Sequence, residues 1–178
     1  MKKIAALLFL SLTMTTANAI KYHTGIGVRS GKFNSGITFK HFYDADNRQG
    51  VQLDAYYTDI PQGGYTVKGL YILQNHIKTP ILQIPLDFIY GGGLHAAYFP
   101  YHPDVIDPGY YKKVNGKKVP YGKSVPVAGV DGSVQIEYKI PAKRFPFTLT
   151  IDANPYYEFL NRGPEWLDFG FSIRYVFR

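Results

Sequence analysis

The side chains able to do chemistry in this chain are charged and sit at alternate positions of apolar stretches: Lys40, Asp54, Lys68, Asp87, His95, Asp131, Glu137, Asp152 and Arg174. Lys21, His23, Arg29 and Lys139 fall on the same face. Taken together, acids and bases are roughly balanced, as a water-poor interior requires, because an unpaired buried charge is expensive. The pattern predicts a hydrogen-bonded polar network inside the fold. His95 and Asp131, with Ser133 close by in sequence, also supply the residue types of nucleophilic catalysis, which needs a serine, an imidazole and an acid in mutual reach. Spacing alone does not bring a serine hydroxyl to the imidazole, and an inward His and Asp that satisfy each other are the commoner arrangement.

Other chemistries lack their spacing. Gly91-Gly92-Gly93 has neither the following helix nor the Lys-Ser/Thr of a phosphate-binding loop, so it reads as room for sharp coiling or for a close-packed interior side chain. The histidines at 23, 41, 76, 95 and 102 have no partner at i+2 or i+4, and there is no cysteine to join them. No catalytic residue, metal ligand or cofactor-binding residue is assigned, and no cofactor is expected. Without cysteine there is also no disulfide framework, so stability must come from burial and backbone pairing.

The elements that must position these residues are strands. Leu167, Phe169, Phe171, Ile173, Tyr175 and Phe177 alternate with Trp166, Asp168, Gly170, Ser172, Arg174 and Val176, a period of two with one greasy face and one mostly polar face. Prolines and glycine clusters cut the chain into eight candidate strands, near 20–29, 36–43, 50–58, 64–75, 85–97, 128–139, 146–157 and 166–177. Their apolar faces include Tyr22, Ile26 and Val28, then Val51, Leu53 and Tyr57, and later Val130, Val134 and Ile136. An even count puts both chain ends on one side. The longest connection, Tyr98–Val127, then lies on the other.

Alternation does not say which face is inside. A soluble lipocalin-like carrier would turn its greasy face inward and leave an outward polar face free to be lopsided in charge, whereas balanced charge favours a polar interior and a lipid-facing exterior. Aromatic residues make up 16% of the chain, as expected where rings form girdles at two membrane interfaces, and a mean hydropathy of −0.16 is unremarkable for strands that hide lipid-facing residues at every second position. Lys2 and Lys3, the apolar run Ile4 to Met14 and the small-x-small Ala17-Asn18-Ala19 read as a signal peptide over 1–19, leaving 20–178 as one barrel domain. The formal net charge of +7 owes part of its size to Lys2 and Lys3. The fold expected is all-β: an eight-stranded antiparallel up-and-down transmembrane β-barrel with one long extracellular loop, in the outer membrane of a cell.

At this point the residues resemble a family, the small, largely uncharacterised eight-stranded outer-membrane β-barrels of Gram-negative bacteria. The likeness rests on Tyr90-Gly91-Gly92-Gly93-Leu94-His95-Ala96-Ala97-Tyr98-Phe99, on Asp131-Gly132 with Glu137-Tyr138-Lys139, on Ser35-Gly36-Ile37-Thr38 with Lys40-His41-Phe42, and on the closing Arg174-Tyr175-Val176-Phe177. It implies a location and a fold rather than an activity. Tyr175 and Phe177 resemble the signal read by the barrel-assembly machinery, with Arg178 as a departure, since the aromatic usually ends such chains. The implied partners are outer-membrane lipid and lipopolysaccharide, the assembly machinery and periplasmic chaperones, and no nucleic acid. Eight strands leave a lumen that side chains fill, so a general porin is not expected. The long loop carries Tyr110, Tyr111, Lys112, Lys113, Lys117 and Lys118, residue types suited to anionic lipopolysaccharide or glycans as well as to a merely solvated loop. The role expected is non-enzymatic, in envelope integrity or in surface or ligand contact. The alternative is a barrel-embedded lipid A acylase or deacylase.

Overall fold

In the computed structural model the described residues are 21–177 except 45, 60–62, 78–84, 102–110, 116, 121, 141–144, 162 and 164–165. The expected signal peptide, Tyr110 and Arg178 lie outside them. Eight strands close into one antiparallel barrel: β1 (Thr24–Gly31), β2 (Asn34–Phe42), β3 (Gln49–Thr58), β4 (Gly64–Ile77), β5 (Leu86–Phe99), β8 (Val125–Lys139), β9 (Phe147–Leu160) and β10 (Leu167–Phe177). Each pairs with its neighbour in sequence, and β1 closes on β10 with Thr24 opposite Phe177 and Gly31 opposite Gly170. Between β5 and β8, β6 (Tyr111–Val114) and β7 (Lys117–Pro120) form a separate hairpin. No helix occurs among the described residues.

The eight strands fall where alternation places them, and closure removes the edges that an open sheet would expose. Two departures concern the long connection. β5 runs on to Phe99 and β8 begins at Val125, because Phe99, Val125 and Val127 continue the inward alternation and pack together, with Phe99 opposite Val125 and Ala97 opposite Val127. The remaining loop also contains a ladder of its own in β6–β7.

One strand entrance is out of phase. Tyr22 was expected outward with Ile26 and Val28, and Lys21 and His23 inward, yet Tyr22 is fully buried and Lys21 and His23 are exposed. The cause is that the strand ladder begins only at Thr24. Before it, the Tyr22 ring turns under the barrel and meets Phe42 edge-on at 5.7 Å, its hydroxyl donates to Glu137 Oε1 at 2.6 Å, and its carbonyl accepts from Asn47 Nδ2 at 2.6 Å. Tyr22, Phe42, Leu70, Ile72, Ile89 and Val176 form an apolar plug across the end that carries the chain termini. The lumen is therefore closed at this end and is no open pore.

The turn at this end is held by Asp44, whose carboxylate accepts from the backbone N–H groups of Arg48 at 2.8 Å and Gln49 at 2.7 Å. Slight desolvation pushes this carboxyl up, but those backbone donors outweigh it and hold it below the usual carboxylate range. Two strand features shape the wall. A Cβ at Gly93 would lie 2.8 Å from Leu70 Cα, so only glycine lets β5 press this closely on β4. Between Asp131, opposite Tyr156, and Val134, opposite Ala153, the β8–β9 ladder is interrupted where Pro155 has no N–H to give.

Candidate functional site

The inward positions of the strands carry the charges, and the barrel sorts them into connected groups along its axis. At mid-height Glu137, Lys40 and Arg174 are all fully buried. Lys40 Nζ lies 2.9 Å from Glu137 Oε2, Arg174 Nη1 lies 3.7 Å from the same oxygen, and Thr150 Oγ1 donates to it at 3.2 Å. One carboxylate thus faces two cations, with the Tyr22 hydroxyl on its other oxygen. Arg174 is held in addition by Thr38 at 3.2 Å and Thr150 at 2.8 Å. Because every group sits on an inward position of a rigid strand, the geometry is fixed by the ladder rather than by side-chain searching.

A chain of hydrogen bonds climbs from this hub. Lys40 Nζ donates to Gln135 Oε1 at 3.1 Å, Gln135 Nε2 donates to Gln52 Oε1 at 3.0 Å, and Gln52 Nε2 donates to Asp54 Oδ2 at 3.0 Å. Asp54 then faces Lys68, whose Nζ is 3.8 Å away and lies over the Tyr56 ring at 5.3 Å. Arg29 also lies over this ring, at a like distance, and forks between two acids: Nη2 to Asp152 Oδ1 at 2.5 Å and Nη1 to Asp168 Oδ2 at 2.8 Å. Its guanidinium fits because Gly170 leaves the space; a Cβ there would be 2.7 Å from Arg29 Nε.

Two groups sit at the ends. Towards the termini, Asp87 pairs with Lys139 at 2.7 Å and with the His76 ring. Towards the long loop, His95 Nδ1 meets Asp131 Oδ2 at 2.7 Å, and the imidazole stands edge-on to Tyr156 with ring centroids 5.9 Å apart. The structure thus places all nine expected interior residues in the lumen: Lys40, Glu137, Arg174, Asp54 and Lys68 in one chain, Asp152 with Arg29, His95 with Asp131, and Asp87 apart. Ser133 is not joined to the imidazole. Its Oγ accepts from Gln135 Nε2 at 2.9 Å, in the middle of the ladder.

The loop end of the lumen is a cup rather than a filled core. A cavity of about 40 Å³ is lined there by Lys68, His95, Asp131, Asn154, Tyr156 and Asp168 among others. Arg29 is buried on the polar face where alternation puts it, whereas Asp168 and Glu158 are missing from the expected network although a signal exists for each. Asp168 holds a polar position in an alternating strand, and Glu158 continues the inward series Thr148, Thr150, Asp152, Asn154 one step beyond the expected strand end.

The outer candidates divide differently. Tyr111, Lys112 and Lys113 lie in β6 and Lys117 and Lys118 in β7, with Lys113 directly opposite Lys118 and Val114 opposite Lys117. Tyr175 and Phe177 project outward at the end of β10, their rings 5.0 Å apart, with Phe147 against Tyr175 at 5.4 Å. No group of three or more metal-ligating side chains is placed to hold a metal ion among the described residues. Compared with known proteins, the chain matches no family model, no curated protein and no solved structure.

Proposed function

We propose that the chain is a non-enzymatic outer-membrane β-barrel protein that crosses the bilayer with its eight strands and meets anionic lipopolysaccharide or other surface ligands through its long loop. The observation that carries the reading is inversion. Charges are buried, while every wall strand exposes large apolar side chains: Ile26, Ile37, Leu53, Val67, Leu94, Ile136, Ile151 and Ile173 run around the barrel, with Val67 62% and Ile151 67% exposed. A belt of this extent greatly exceeds the apolar patches that soluble monomers leave to water. At about 3.3 Å per residue and a tilt near 40°, the 11 residues of β10 rise roughly 28 Å, enough for a hydrocarbon core.

Aromatic rings sit at both rims. Tyr43, Phe145, Tyr175 and Phe177 are exposed towards the termini, and Tyr57, Tyr65, Tyr157, Phe159 and Trp166 towards the loops, as interfacial girdles require. The plug beneath the lumen and the continuous polar ladder favour a structural or binding role over conduction. Pairing of His95 with Asp131, with Ser133 engaged by Gln135, supports a structural part for these residues.

Cell fractionation tests the assignment. The protein is expected in the outer-membrane band of a density gradient, released by detergent but not by high salt. Trypsin added to intact cells is expected to cut in the loop that carries Lys112, Lys113, Lys117, Lys118 and Lys123 while the strands stay protected. Recovery in the soluble periplasmic fraction would overturn the assignment, and cutting only after the outer membrane is opened would invert the topology.

A further inference from the structure

Asn154 leaves one of its polar atoms unused. Its Nδ2 donates to Asp152 Oδ1, and since a carboxylate can only accept, that bond settles how the amide is turned. Oδ1 is left with no partner in a residue only 3% exposed, and Asn154 lines the loop-end cup. A sealed acceptor of this kind is a half-made contact.

Charge favours the same kind of occupant. Of the charged residues lining the cup, Asp131, Glu158 and Asp168 are acids and Lys68 is a base, and Asp54, Asp152 and Arg29 are bonded to that lining, so among the described residues five carboxylates face Arg29 and Lys68. Both bases are already drawn to their own carboxylates. A low-dielectric site with surplus negative charge and a spare acceptor takes a positively charged hydrogen-bond donor. No cluster among the described residues is arranged for a metal ion. The cavity of about 40 Å³ has space for roughly three water-sized groups, which fits an ammonium head and excludes a bulky quaternary amine.

We propose that the loop-end cup binds the ammonium group of a primary amine, with Asn154 Oδ1 accepting one N–H and the carboxylates of Asp131 and Asp168 providing the surrounding negative field. The site is a property of the folded lumen and stands whatever membrane the barrel occupies.

Methylammonium chloride is the probe, added to the folded barrel in a neutral, amine-free detergent at constant ionic strength. It is expected to raise the thermal unfolding midpoint along a saturating curve, as a ligand of the folded state must. Potassium chloride, tetramethylammonium chloride and sodium phosphate are expected to leave the midpoint in place. Asn154→Ala is expected to lose the methylammonium response, and Asn154→Asp, which restores an acceptor, to keep it. Nuclear Overhauser contacts between the methyl protons of methylammonium and the Asn154 side chain, read in the unsubstituted barrel, keep the test decisive if the alanine variant does not fold. Equal shifts from potassium or tetramethylammonium, stabilisation by phosphate alone, an undiminished response in Asn154→Ala, or no Overhauser contact at saturating amine would each overturn the proposal.

Discussion

Replacing Glu137 by leucine is expected to be the most damaging single change in the lumen, because it leaves Lys40 and Arg174 buried without their shared carboxylate. Removing one partner of a buried ion pair costs about 3–5 kcal/mol, and here the lost group serves two cations and accepts from Tyr22 and Thr150 as well. Lys40→Met is expected to cost less, about 1–3 kcal/mol, since Glu137 keeps Arg174, Tyr22 and Thr150 and only Gln135 loses a donor. The order matters more than either size. Urea unfolding of the barrel in lipid vesicles measures both variants, and equal losses would mean that the hub is not organised around the carboxylate.

The second large effect is expected at Arg29. Arg29→Met strands Asp152 and Asp168 together and should also cost about 3–5 kcal/mol. Arg29→Lys should recover little of it. An ammonium is a point charge, whereas the native side chain sends Nε and Nη2 to Asp152 and Nη1 to both Asp168 and the Asn34 carbonyl. Adding Asp168→Asn to Arg29→Met should restore part of the loss by removing the repulsion between the two acids. The same unfolding assay reads all three. Full rescue by lysine would show that charge alone, not the forked geometry, holds this group.

Alternation makes the wall legible in the sequence, because a period of two is imposed by the pleat itself and survives wherever one face is apolar and the other charged. It failed where backbone geometry departs from the strand. Tyr22 stands before the first ladder pair, so its side chain obeys packing against Phe42 and the bond to Glu137, not the phase of Ile26 and Val28. The β6–β7 hairpin escaped notice although Asn115-Gly116 between two short segments is a strong hairpin signal, and Asn115 takes a φ of 48°. Four lysines in those segments read as loop.

The interior was legible as a list and illegible as a network. Lys40, Glu137 and Arg174 belong to strands far apart in sequence, and only barrel closure brings them across the lumen. His95 and Asp131 are diagonal neighbours on adjacent strands, with His95 opposite Gly129 and Asp131 opposite Gly93, and Gly129 leaves the room that the imidazole fills. The cup has no sequence signature of its own. It arises where Pro155 interrupts the β8–β9 ladder beside Asn154 and Asp131.

Whether the apolar belt touches lipid is measured most directly by tryptophan quenching in vesicles of brominated phospholipid. Trp166 is the only tryptophan in the chain, 63% exposed beside the loop-end rim of β10. A second probe, Ile151→Trp in a Trp166→Phe background, sits at mid-height, where Ile151 lies opposite both Phe171 and Ile136. Trp166 is predicted to be quenched most by bromine near the headgroups, and the tryptophan introduced at 151 most by bromine deep in the acyl chains. Emission from both probes that is the same in brominated and plain lipid, from a barrel that is folded, would contradict the membrane-spanning account.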